Sequence, residues 1–80
     1  MSAGGERQMT LNLLPVGCRG RISGLAAKGG MRRRLSDLGF LRGAEVECVL
    51  RKSSGQTAAF FVRGTVIALR SEDSSGVTLE

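Results

Sequence analysis

Short runs in which apolar residues alternate with polar or small ones recur along this chain, a pattern typical of half-buried β-strands. Turn residues, mainly glycine and serine, separate the runs at intervals of about 8–12 residues. Such spacing predicts a small, mainly β protein: a closed or nearly closed barrel of five or six strands. The expected strands fall in six stretches of the chain: 9–17, 19–27, 41–52, 58–62, 65–70 and 77–80.

Glycines mark the expected turns and irregularities of this sheet. Arg63-Gly64 separates two strands by only two residues, which is the strongest hairpin pattern in the chain. Arg42-Gly43 forms a turn before the strand that follows it. The stretch 19–27 contains two glycines and therefore predicts a bent strand with a bulge.

Alternation also predicts which side chains face the core. In the strand that follows Gly43, we expect Val46, Cys48 and Leu50 on the buried face. Phe60 and Phe61 are adjacent in a strand, so one of them must point inward and the other outward.

One stretch has the spacing of a helix. Met31, Leu35 and Leu38 recur at i, i+4 and i+7, which predicts a helix of about two turns after a loop at 28–30. Gly39 follows the last periodic residue, where a left-handed residue ends many helices. Phe40 can then fold back onto the apolar face, so Gly39 and Phe40 are expected to be structural.

Three consecutive arginines, Arg32, Arg33 and Arg34, occupy the polar side of this helix. At about 100° per residue, Arg33 points directly away from the apolar face, and an i,i+4 pair with Asp37 is within reach. A run of charge is most simply a solvated face. Leu41 and Arg42 follow the glycine, however, and an apolar patch ringed by arginine is typical of a protein interface. We therefore expect partner binding at Arg32, Arg33, Arg34, Leu41 and Arg42.

The length of 80 residues indicates one domain over 1–80, with a disordered lead-in at 1–9. No apolar run approaches about 18 residues, so we expect no membrane span. The N-terminus lacks the apolar segment of a secretory signal, which favours the cytoplasm. Net charge is +5, and this favours an anionic partner surface.

The residue types argue against catalysis and against a built metal site. Histidine is absent, so the commonest general base and the commonest transition-metal ligand are missing. Cys18 and Cys48 lie far apart in sequence, in no ligand-like spacing, and we expect both to be reduced. We expect no enzyme activity, no cofactor and no dedicated metal site.

The composition also argues against nucleic-acid binding. Small barrels that bind single strands combine a basic groove with exposed aromatic side chains. Tryptophan and tyrosine are absent, and of the three phenylalanines only one of the pair Phe60 and Phe61 can be exposed. We therefore expect no nucleic-acid partner.

Assembled in order, these segments resemble the FeoA family of small bacterial proteins of ferrous iron uptake. The resemblance runs from about Leu11 to Leu79 and rests on "LLPVGCRGRISGL", "RRLSDLGFLRGAEV", "VRGTVIALR" and "EDSSGVTL". The sequence departs from the family at Arg42, where a proline commonly precedes the turn glycine. Arginine accepts that turn geometry without pre-setting it.

The resemblance implies an SH3-like barrel that acts beside FeoB, a membrane iron transporter with a cytoplasmic G-protein domain. It implies a cytoplasmic accessory protein that binds and modulates this transporter, peripheral to the inner membrane through its partner. The alternative is a metal-responsive regulatory barrel, because a related barrel forms the C-terminal domain of DtxR-type iron-dependent repressors. We expect this chain to lack the DNA-binding winged helix of those repressors.

Overall fold

The computed structural model describes residues 9–80. This range contains six strands, two helices and one 3-10 turn at Leu11–Leu13. The elements in chain order are β1 (Met9–Thr10), β2 (Arg19–Leu25), α1 (Gly29–Leu38), β3 (Glu45–Arg51), β4 (Thr57–Val62), β5 (Thr65–Arg70), α2 (Ser71–Ser74) and β6 (Val77–Leu79).

All strand pairings are antiparallel, and they join the strands in the order β1-β6-β2-β3-β4-β5. β2 pairs with β6 on one side and with β3 on the other, so it links the short strands to the long hairpins. Within residues 9–80, no pairing joins β1 to β5. The barrel predicted from the sequence is therefore nearly closed, with β1 and β5 at its two free edges.

The strands enclose a core to which α1 contributes a single fully buried side chain, Leu35. Met31 and Leu38, which share the predicted apolar face with Leu35, are only partly buried against this core. The buried apolar residues are Leu11, Leu14, Ile22, Leu35, Phe40, Val46, Cys48, Ala58, Phe60, Val62, Leu69, Val77 and Leu79.

The end of α1 confirms the prediction for Gly39 and Phe40. Gly39 has a φ of 108°, in the left-handed region, and its amide bonds to the Ser36 carbonyl at 3.0 Å. The amide of Phe40 bonds to the Leu35 carbonyl, also at 3.0 Å, which completes the hydrogen-bond pattern of a Schellman motif. The Phe40 ring is fully buried.

The predicted start of this helix is wrong by two residues. α1 begins at Gly29, inside the stretch 28–30 that was expected to be a loop. Gly29 takes a φ of 61°, and Lys28 precedes it with extended backbone. The two glycines that open the helix bury no apolar side chain, so the apolar spacing cannot reveal them.

Two register shifts bend the sheet, and the sequence predicts one of them. The predicted bulge in β2 lies between Ile22 and Gly24. A second shift in β3, between Cys48 and Leu50, reverses the side-chain alternation. Val46 and Cys48 are buried as predicted, but the prediction for Leu50 is wrong, because its side chain is 60% exposed.

The shift in β3 gives the following residue, Arg51, a structural contact. Its guanidinium donates a hydrogen bond of 2.7 Å to the Leu14 carbonyl and lies 3.8 Å from the Cys48 sulfur. Before the bulge, β3 contacts the core through apolar side chains, and after it through the cationic side chain of Arg51. This cationic contact ties β3 to the N-terminal segment.

The N-terminal segment differs from the strand predicted over 9–17. Only Met9 and Thr10 form β1, and the chain then turns through the 3-10 segment, where Leu11 is buried and Leu13 is exposed. The expected lead-in at 1–9 lies outside the described residues except for Met9, which already pairs with Leu79.

The remaining turns agree with the sequence. Arg63 and Gly64 connect β4 to β5 with φ values of 50° and 82°, and a two-residue hairpin of type I′ requires positive φ at both positions. Gly43 has a φ of 88°, and its amide bonds to the Ile22 carbonyl at 2.7 Å. The connection from β5 to β6 contains the one-turn helix α2.

We expect Gly39→Val to destabilise the fold. A β-branched residue in left-handed backbone costs roughly 1–2 kcal/mol, and the added Cβ would lie 3.2 Å from Cδ of Arg63. The melting temperature should fall by several degrees in so small a domain. Gly30→Ala is the matched control, because Gly30 lies in the same helix with open space around its Cβ position. Equal melting temperatures for the two variants would contradict the strained cap.

Candidate partner-docking surface

The five predicted partner-binding residues all lie on α1 or on the turn that follows it, and all are exposed. The Schellman motif fixes where the chain leaves the helix, and it places Leu41, which is 41% exposed, beside the helix end. Buried Phe40 anchors the connection from within. The end of α1 thus presents an apolar side chain next to cationic ones.

Arg32 is held in place by a backbone contact. Its Nη1 donates a hydrogen bond of 2.9 Å to the Leu25 carbonyl at the end of β2. This bond joins α1 to the sheet, so Arg32 has a structural role that the sequence pattern did not indicate. The guanidinium retains other donors for a partner.

A groove between α1 and β2 brings three of the five residues together. It has a volume of about 340 Å³, and its walls come from both elements and from the turn after Phe40. The side chains and backbone that line it are Ser23, Gly24, Leu25, Arg32, Ser36, Phe40, Leu41 and Arg42. Arg32 and Arg42 therefore flank a groove that has Leu41 on its rim.

The other two arginines lie outside this groove. Arg34 lines a second groove of about 540 Å³ on the β5 side of the helix, together with Met31 and Ala68. Arg33 lines neither groove. The expected ion pair between Arg33 and Asp37 is not formed, since the ion pairs within residues 9–80 are Arg19–Glu47 and Arg21–Glu80. That prediction is wrong, and Arg33 is a solvated charge.

Several exposed apolar side chains lie elsewhere on the protein. Phe61 is 43% exposed whereas Phe60 is buried, as adjacent strand positions require. Phe61 pairs across the hairpin with Val66, which is 59% exposed. The sequence predicted an outward phenylalanine in this strand but did not indicate the exposed partner beside it.

The candidate chemistry of the cysteines is limited. Both are free thiols; Cys18 is exposed, and Cys48 is buried in the core as predicted. In the part of the chain that the structure describes, no three side chains of the metal-ligating types His, Cys, Asp and Glu converge. Neither helix within residues 9–80 has the length and apolar character of a membrane span.

The sequence model of the FeoA domain matches residues 9–80, which is nearly the whole chain. This chain belongs to the FeoA family. The family connects it to ferrous iron transport, and the resemblance noted in the sequence is confirmed. No curated protein sequence gives a significant match.

Solved structures of FeoA proteins have the same fold. FeoA of Stenotrophomonas maltophilia in complex with zinc, described as a procaryotic SH3 domain protein, is 30% identical with a TM-score of 0.81. The match covers 90% of this chain and 89% of that one. FeoA of Chlorobium tepidum is also 30% identical, with a TM-score of 0.83 and coverage of 90% and 69%. The predicted SH3-like fold is thereby confirmed.

A manganese-dependent transcriptional repressor is similar in fold alone. The match has a TM-score of 0.81 at 14% identity and covers 98% of this chain but 46% of the repressor. The FeoA-family chain thus corresponds to one part of that longer protein, as the sequence suggested for the barrel domain of such repressors.

The contact of Arg32 predicts a difference between neighbouring arginines. Arg32→Gln should lower the free energy of unfolding by about 0.5–1 kcal/mol, because the hydrogen bond to the Leu25 carbonyl is lost. Arg33→Gln is the matched control and should change it by less than about 0.5 kcal/mol. Urea unfolding of both variants makes the comparison. Equal losses would mean that the bond of Arg32 adds nothing to stability.

Proposed function

We propose that this chain is an accessory protein of ferrous iron uptake that binds the cytoplasmic part of the transporter FeoB and modulates it. Membership in the FeoA family supports the transport role. The observation that carries the binding proposal is the α1–β2 groove, where Arg32 and Arg42 flank exposed Leu41. In this proposal the protein works in the cytoplasm and reaches the membrane only through its partner.

The groove combines two kinds of contact in one place. Leu41 offers apolar area at the rim, which gains free energy when a partner covers it. Arg32 and Arg42 offer planar guanidinium groups that bind carboxylates through paired hydrogen bonds. The surface therefore fits an acidic patch that surrounds an apolar side chain on the partner.

Charge then governs how quickly the two proteins meet. The chain carries a net charge of +5, and complementary charge speeds association more than it tightens the final complex. Arg33, which is exposed and without an ion pair in the described range, adds to this attraction without a fixed contact. Binding rather than catalysis is the proposed task, in line with the complete absence of histidine from the sequence.

The test is a binding titration against the cytoplasmic domain of FeoB at low and high salt. Arg42→Glu should weaken binding by about tenfold or more at low salt, mainly through slower association, and by less at high salt, where the charge is screened. Leu41→Ser should weaken binding at both salt concentrations, because apolar burial is not screened by salt.

Lys52→Glu is the matched control for Arg42→Glu. It makes the same change in net charge, and Lys52 is exposed in the loop between β3 and β4, outside the groove. It should leave affinity near the wild-type value. Wild-type affinity in both Arg42→Glu and Leu41→Ser, or no measurable binding by the unmodified chain, would refute the proposed docking surface.

The alternative function, a metal-responsive regulatory barrel, has the shared fold of the repressor in its favour. Zinc is present in the Stenotrophomonas maltophilia relative. In this chain the two thiols point to different environments, since Cys18 is exposed and Cys48 is buried. Soft-ligand sites need several converging donors, so we propose that metal is not the regulatory input here.

Calorimetry with Fe²⁺ under anaerobic conditions, and with Zn²⁺, tests this point. We expect no stoichiometric binding in the sub-micromolar range, because single thiols and isolated carboxylates hold such ions weakly. The Cys18→Ser, Cys48→Ser double variant is the control for weak heat signals. Tight, stoichiometric binding that this double variant loses would favour the regulatory alternative.

A further inference from the structure

The outer edge of β5 has hydrogen-bonding groups that the described part of the protein leaves unpaired. β5 is the last strand in the sheet order, and it pairs only with β4. The two-residue turn makes Val62 and Thr65 the closing hydrogen-bonded pair of the hairpin. Every second residue of β5 therefore bonds to β4, and the amides and carbonyls of Val66 and Ala68 point the other way.

The hydrogen bond that follows the strand confirms this alternation. The Ser71 amide bonds to the Gln56 carbonyl at 2.8 Å, so the adjacent pair of Arg70 and Thr57 is a non-bonded one. Counting back by twos places Ala68 and Val66 at non-bonded positions as well. Within residues 9–80, no hydrogen bond engages the backbone of either residue on the free side.

Several features by which proteins usually prevent strand addition are absent from this edge. Such features are proline, lysine, a bulge or a very short strand. β5 has six residues, its pairing with β4 runs without a register shift, and the stretch 65–69 is uncharged and free of proline. By contrast β1, the strand at the other edge, has only two residues.

We propose that β5 pairs with β5 of a second copy of this chain, antiparallel and about a two-fold axis, so that two sheets become one. A register centred on Ile67 sets Ile67 opposite its own copy and Val66 opposite Ala68 of the second copy. Thr65 then lies directly opposite Leu69 of the second copy. Every directly opposed pair in this central stretch is uncharged, and the outward amides and carbonyls of both strands meet.

The ends of the strand supply complementary charge. Antiparallel pairing brings Arg63, in the turn before one β5, towards the start of α2 in the other copy, which carries Glu72 and Asp73. None of these three residues has an ion pair within the described part of its own chain. The Arg70 side chain of that copy lies near the same two carboxylates. Its single positive charge does not balance their two negative charges, so the local net charge is negative.

The exposed pair Phe61 and Val66 extends the proposed interface over one face of the sheet. These side chains stand directly opposite each other on β4 and β5, and both are exposed in the single chain. A second copy continues this apolar strip across the two-fold axis. The contact is small, and interfaces below about 1,200 Å² are usually weak, so the dimer should form at high concentration. This inference does not depend on the partner proposed above.

Analytical ultracentrifugation of the full chain tests the proposal, from about 10 μM to about 1 mM. The expected result is a reversible monomer–dimer equilibrium that Val66→Lys weakens at least about tenfold. Leu50→Lys is the matched control. Leu50 is 60% exposed, against 59% for Val66, but Leu50 lies on β3 and not on the edge strand β5. A monomer at every concentration, or a dimer that Val66→Lys leaves unchanged, would overturn the proposal.

Amide hydrogen exchange on the wild-type chain locates the interface without any mutation. The amides of Val66 and Ala68 should exchange more slowly as concentration rises, whereas the Ile67 amide, bonded to β4, should be protected throughout. Exchange at Val66 and Ala68 that is independent of concentration would refute the pairing.

Glu72→Arg should also weaken the dimer, and Arg63→Glu combined with Glu72→Arg should restore it. Failure of that restoration would remove the ionic part of the proposal.

Discussion

The stop at the end of α1 is the constraint on which the proposed docking surface depends. Gly39 accepts a backbone conformation that other residues adopt only with strain, and this lets the Phe40 amide reach back to the Leu35 carbonyl. The Phe40 ring then enters the core, and Leu41 is left at the surface. One glycine thus fixes both a core contact and the position of the groove rim.

The sequence predicted this stop because its signals are local. Helical spacing, a glycine and a following aromatic residue all lie within ten residues, and the hairpin at Arg63-Gly64 is equally local. The sequence does not predict the exposure of Leu50, because a bulge in β3 depends on how β4 pairs with it, and alternation along a single strand does not record that pairing. The strand predicted for the N-terminal segment is wrong because Leu11 and Leu14 reach the core from a 3-10 turn, which alternation does not reveal either.

The candidate site was predictable as a surface but not as a set of contacts. Composition and helical phase placed the arginines outside, and the structure agrees. The hydrogen bond from Arg32 to the Leu25 carbonyl joins residues from different elements, and no sequence pattern within the helix predicts it. The groove likewise exists only because the turn after Gly39 returns beside β2, which is a property of the fold as a whole.

Three consecutive arginines on a helix cannot form one patch, and this explains their different surroundings. Successive side chains are rotated by about 100°, so the first and third diverge by about 200°. Arg32 turns to β2, Arg34 turns to the groove beside β5, and Arg33 lies between them in solvent. The run of charge therefore serves two grooves and the open face between them. Substitutions that treat the run as a unit would combine a lost structural bond with lost surface charge.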